Sequence, residues 1–130
     1  MHGLEGAEYA DKLTNTTTTD DMPAIMFRGE LDRVYRGATR PENPLSVRPA
    51  GVRVEAHAVV LDRAEAVVSV LRPDVVVWNP HIAKAARMSD FDDDGWKGMC
   101  CVEPGVLALD RPDVPPGGAL LLSQTLTPEC

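Results

Sequence analysis

A few side chains in this sequence are of types that do chemistry, and their spacing decides how many are credible. Glu103 follows the apolar run Met99-Cys100-Cys101-Val102 and precedes Pro104-Gly105. A carboxylate at the end of a buried strand is held rigidly and partly desolvated, and desolvation raises its pKa towards the range useful to a general base. From position alone, a strand-end charge that simply meets water is the better reading. Asp90, Asp92 and Asp94 run towards Gly95 like the start of a calcium loop, but the twelfth position is Cys101 where such a loop needs glutamate, so a solvated acidic loop is the better reading. Cys100 and Cys101 are adjacent, which is not zinc spacing, and strand alternation sends their side chains to opposite faces. The histidines are His2 at the terminus, His57 inside an apolar run, and His81, which follows Asn79-Pro80. None has the setting of a general acid.

The elements that must hold these residues read as mostly strand. Eleven prolines and ten glycines cut 130 residues into short pieces, an all-β pattern. Strands are expected at Ala24 to Phe27, Leu31 to Tyr35, Val52 to Leu61, Ala66 to Leu71, Val75 to Trp78, Met99 to Val102 and Ala119 to Leu126. Thr14 to Asp21 is expected as an exposed polar loop. Arg36 to Pro44 also reads as a loop. Asp62-Arg63 and Arg72-Pro73-Asp74 are turn candidates, and short polar turns between strands predict hairpins. Pro112 to Gly118 is a further turn. One short helix is expected from Asn79-Pro80, with Ile82, Ala85 and Ala86 at helical spacing.

Composition narrows the function classes. Net charge is −7, which argues against a general nucleic-acid binder or a binder of acidic membranes. No apolar run approaches the ~20 residues that span a bilayer, and the first residues lack a signal-peptide pattern. Three cysteines make no disulfide framework, so a cytoplasmic location is expected. Asn15-Thr16-Thr17 matches a glycosylation acceptor but reads better as a solvated turn.

Several strings, in order, carry a resemblance. They are Val77-Trp78-Asn79-Pro80, Lys84 to Phe91, Asp93-Asp94-Gly95-Trp96-Lys97 and Cys101-Val102-Glu103-Pro104-Gly105. Upstream lie Gly3-Leu4-Glu5-Gly6, Tyr9-Ala10-Asp11-Lys12 and Gly29 to Tyr35, and Ser123-Gln124-Thr125-Leu126 closes the series. Together they resemble the C-terminal half of the glucose-6-phosphate 1-epimerase (hexose-6-phosphate mutarotase) family, of the aldose-1-epimerase-like, galactose-mutarotase type. The resemblance implies a mainly β fold, part of a β-sandwich (supersandwich) with a sugar cleft on one concave sheet. It implies interconversion of the α and β anomers of a hexose 6-phosphate or another aldose, by ring opening and reclosure. The family's base falls on Glu103 and its substrate-binding aspartate on Asp32. Neither a metal nor an organic cofactor is implied, and no nucleic acid or membrane partner.

Departures from the family pattern accompany the matches. The family's histidine acid lies in a Leu-His-Thr-Tyr-Phe-like segment just before the Gly-Leu-x-Gly motif, and its phosphate-binding arginines also lie upstream. Residues 1–130 are therefore expected to be the C-terminal portion of the domain, with the N-terminal half absent. The lone chain is expected to be inactive, and to self-associate or pair with the missing half. Asp92 stands where glycine is usual and Val106 where asparagine is usual. The alternative is a non-catalytic carbohydrate-binding or structural β module.

Overall fold

A computed structural model describes residues 1–39, 44–48, 51–107 and 112–129. Nine strands run in order β1 (Glu8–Asp11), β2 (Thr16–Thr19), β3 (Leu31–Tyr35), β4 (Leu45–Val47), β5 (Val52–Leu61), β6 (Val67–Leu71), β7 (Asp74–Asn79), β8 (Cys101–Gly105) and β9 (Ala119–Pro128). A helix, α1 (His81–Ala85), and a 3-10 turn (Gly95–Gly98) lie between β7 and β8. The protein is mainly β, as expected, with two antiparallel sheets. Among the described residues no helix is long and apolar enough to cross a membrane.

The first sheet has the order β2-β1-β3-β7-β8. In the second, β9 pairs along the whole of β5, so β4 and β6 share the opposite edge of β5. Alternation on β3 and β7 sorts the first sheet. Leu31, Tyr35, Val75 and Val77 are buried on one face, against Leu45 and Val54 of the second sheet and Met1, Leu4 and Ile25 of the N-terminal segment. Asp32, Val34, Val76 and Trp78 point the other way and are half-buried.

Some elements differ from expectation. Thr16–Thr19 is a strand, not a loop: Asn15 turns at φ 54° and the four threonines pair with Glu8–Asp11. Threonine is β-branched and suits an exposed edge strand, where polarity carries no penalty. Ala24 to Phe27 is not a strand; only Ile25 pairs there, exchanging two backbone bonds with Met1 at 2.8 and 2.9 Å. β6 and β7 do not form a hairpin, because the chain changes sheets at Arg72-Pro73. Pro73 has no N–H for a ladder. Its carbonyl accepts from Thr39, and the buried Asp74 carboxylate accepts from the Gly37 and Leu107 N–H groups at 2.9 and 3.0 Å. These bonds hold the start of β7 in the first sheet.

A buried polar cluster closes the β1–β3 end of the core face. Tyr35 Oη donates to Asp20 at 2.7 Å, and the Arg33 guanidinium lies 3.4 Å from both Asp20 and Asp11, over the Tyr9 ring. Burial pushes the Tyr35 hydroxyl well up, and its bond to Asp20 adds to this. Partial burial opposes ionisation of Asp11. The N–H groups of Thr14 and Leu13, with Arg33, outweigh it and hold the carboxyl below its ordinary value.

Asn79 fastens the segment between β7 and β8. It is fully buried. Its Nδ2 donates to the carbonyls of Trp96 and Met99 at 2.9 and 2.8 Å, and its Oδ1 accepts from the His81 N–H at 2.9 Å. One side chain thus sets the entry to α1, the 3-10 turn and the approach to β8. Asn79→Ala strands two carbonyls and an N–H and should cost about 2–4 kcal/mol, read as a lower urea midpoint with unchanged slope. For Asp11 the folded pKa is depressed, so its contribution is complete above the unfolded value of ~3.9 and is lost as pH falls through the folded value. In a comparison of urea midpoints, Asp11→Asn should therefore weaken the protein near neutrality and flatten the fall in stability below about pH 4; parallel acid limbs would contradict this.

Candidate functional site

Strand register brings the two sequence-selected carboxylates to one face. Asp32 pairs with Trp78, which pairs with Cys101; one step along, Val34 pairs with Val76, which pairs with Glu103. Residues directly opposed across antiparallel strands share a face. Asp32, Trp78, Cys101 and Glu103 therefore stand together, opposite Leu31, Val75 and Val77. Two inter-strand spacings and one two-residue step put the Asp32 and Glu103 Cα atoms about 12 Å apart.

Glu103 differs from its expected setting. It lies in the middle of β8, not after its end, and it is exposed. The strand begins at Cys101 because Asn79 takes the Met99 carbonyl, and it runs through Pro104. Proline is tolerated there because β8 is the edge of its sheet. The desolvation read from sequence is therefore absent in this chain: the carboxylate projects from an uncovered face.

Asp32 is half-buried and makes no ion pair among the described residues. Arg33 is its chain neighbour but points to the opposite face, where Asp11 and Asp20 engage it. Beyond the β3 end of the row, Lys84 of α1 reaches Glu30 at 3.7 Å. Of the two adjacent cysteines, strand alternation sends one to each face, and it is Cys100 that packs against the core. The register places Cys101 on the open face, opposite Trp78 and two residues before Glu103. Same-face spacing from Glu103 was the signal that could have found it.

The remaining candidates lie elsewhere. His57 is exposed on β5, in the second sheet, and His81 stacks on Trp96 with ring centroids 4.3 Å apart. Trp96, not Trp78, is the aromatic partner of His81. Cys100 points to the core side, where burial pushes its thiol up to about 11. Asp90, Asp92 and Asp94 are exposed, and Asp92 Oδ1 accepts from the Asp94 N–H within its own loop. Among the described residues no group of histidine, cysteine, aspartate and glutamate could hold a metal ion.

Comparison with known proteins adds an independent line. No family model matches the chain. A protein of Cenchrus ciliaris described as "Putative glucose-6-phosphate 1-epimerase" is 34% identical over 113 residues, which is 86% of this chain and 30% of that protein. The chain thus spans about 30% of the length of this curated relative, and the similarity covers most of the chain.

Proposed function

We propose that this chain is the base-bearing C-terminal portion of a hexose-6-phosphate mutarotase, of the galactose-mutarotase-type supersandwich. The observation that carries the reading is the placement of Asp32 and Glu103 on one sheet face, within a segment similar to a protein of that name. Glu103 takes the proton of the anomeric hydroxyl. Asp32 accepts a hydrogen bond from a second sugar hydroxyl and fixes the ring. The pyranose opens to the aldehyde, the C1–C2 bond turns, and closure on the other carbonyl face gives the other anomer. Trp78, between the two carboxylates, offers an apolar surface to the sugar's C–H face.

The ring oxygen needs an acid, and the phosphate needs cations. Neither His57 nor His81 stands on the Asp32–Glu103 rows. Both functions belong, on this reading, to the part of the domain outside the chain. The uncovered surfaces support the same view. Glu103 is exposed, and Leu120, Leu121, Leu122 and Leu126 of β9 are each at least 40% exposed. An uncharged ten-residue strand with apolar side chains recruits a partner. The chain self-associates or binds the remainder of the domain.

The test is anomer exchange of glucose 6-phosphate followed by NMR. The lone chain should run at the spontaneous rate, and adding the N-terminal portion of a relative should raise it. In that complemented state Glu103→Gln should cost ~100- to 10,000-fold in kcat. Asp32→Ala should raise KM more than it lowers kcat. Exchange by the lone chain well above background, abolished by Glu103→Gln, would show instead that the chain holds a complete site. Sedimentation of the lone chain should give a mass above 14.1 kDa; a strict monomer would contradict the association.

A further inference from the structure

A cavity of about 280 Å³ lies on the side of the first sheet to which Cys100 points, away from Asp32 and Glu103. Three stretches of chain meet there: Phe27 from the segment before β3, Val47 and Arg48 from the end of β4, and Lys97 to Cys100 from the approach to β8. Phe27, Val47 and Cys100 pack against the core, and Asn79 fixes the last wall by holding the Met99 carbonyl at 2.8 Å. Arg48, Lys97 and Gly98 are exposed and form the rim. A Cβ at Gly98 would meet nothing within 4 Å, so the rim is open there. The volume approaches the ~300 Å³ at which ligand pockets begin.

The lining has one sign of charge. Net charge is −7 over the chain, yet both charged side chains around the cavity are cations, and no carboxylate lines it among the described residues. Arg48 makes no ion pair among the described residues. Glu129, beside β4, is instead taken by Ser46 Oγ at 2.6 Å. Lys97 pairs with Asp94 at the surface, and its ammonium sits 5.8 Å from the Trp96 ring centroid. An exposed pair of that kind is worth little and yields readily to a better anion. Burial pushes the Cys100 thiol up to about 11, so it faces the cavity as S–H. We propose that this cavity binds a small organic carboxylate with a flat apolar body, the body between Phe27, Val47 and Met99 and the carboxylate at Arg48 and Lys97. The guanidinium fork of Arg48 suits the two oxygens of a carboxylate. A sugar does not suit the cavity, because its hydroxyls would lie unpaired against Phe27, Val47 and Met99. The site is separate from the Asp32–Glu103 face and does not rest on the mutarotase reading.

The probe is 2-naphthoate, with its neutral amide, 2-naphthamide, as the isostere, and equilibrium dialysis against the full chain gives both affinities. The acid should bind saturably and about fivefold or more tightly than the amide, and 0.5 M NaCl should erase most of that difference. Arg48→Gln and Lys97→Gln, both at exposed positions, should each weaken the acid roughly 3- to 10-fold and leave the amide within about twofold. Location is read from iodoacetamide labelling at pH 8, followed cysteine by cysteine by peptide fragmentation. Saturating 2-naphthoate should slow labelling of Cys100 by roughly threefold or more and leave Cys101, on the other face, unchanged. Equal affinities for acid and amide overturn the proposal, as does acid binding that neither substitution weakens. Equal protection of both cysteines places the acid elsewhere and overturns it too. Glucose 6-phosphate in millimolar excess should not displace the naphthoate; displacement would make the cavity part of the sugar site and overturn a separate one. Failure of naphthoate to bind overturns this site and leaves the mutarotase reading untouched, since that reading is tested by anomer exchange.

Discussion

Everything at the candidate site depends on the antiparallel register of β3, β7 and β8. Strand side chains alternate with period two, so one residue of slip would exchange the faces of a whole strand. What prevents slip lies on the far side of the sheet. Leu31, Val75 and Val77 are each at most 7% exposed. At about 1.5–3 kcal/mol apiece, moving the three to solvent would lose roughly 5–9 kcal/mol. No hydrogen bond made by Asp32 or Glu103 approaches that figure. The carboxylates are therefore placed by the hydrophobic residues between them in sequence, and the open face is acidic because the other face is apolar.

The ends of these strands are pinned differently. Asp74 and Asn79 bracket β7, and both are buried polar side chains whose partners are backbone groups of neighbouring loops. Each works as a short-range ruler. Asp74 decides where β7 starts and that it joins β3. Asn79 decides where β8 starts, and hence that Cys101 and Glu103, not Cys100 and Val102, face outward. Substituting either side chain would leave several backbone groups without their partner at once.

Legibility in the sequence followed these forces. β3 and β5 were readable to the residue because alternation and β-branched runs are local signals. Helix α1 was readable from Asn79-Pro80, although its apolar spacing misled: Ile82 is 59% exposed and only Ala85 is buried. β2 was missed because an edge strand of threonines has no hydrophobic pattern to show. The change of sheet at Arg72-Pro73 was missed because a three-residue polar turn looks the same whether it joins paired strands or strands of different sheets. Only the distant Thr39, Gly37 and Leu107 partners distinguish the cases. The pairing of Asp32 with Glu103 on one face was implicit in the odd and even positions. It needed the order β3-β7-β8 before it could be read.

Exposure of Glu103 bears on what a carboxylate on this face can do. Water competes for the charge of an exposed carboxylate and leaves the side chain free to swing. To accept a proton from an anomeric hydroxyl at useful rate it must be shielded from water and held in place. Trp78 and Cys101 share the sheet face with the carboxylate and stand beside it. A cover over the open face would exclude water from Glu103 and deepen the Asp32–Glu103 gap into a cleft. The same cover would bring whatever acid serves the ring oxygen to the side opposite the base. On the mutarotase reading, then, the missing cover and the missing acid are one structural requirement. An open sheet can bind a sugar loosely through Asp32 and Trp78, but the step that distinguishes an enzyme from a binding surface requires both sides of the ring to be enclosed.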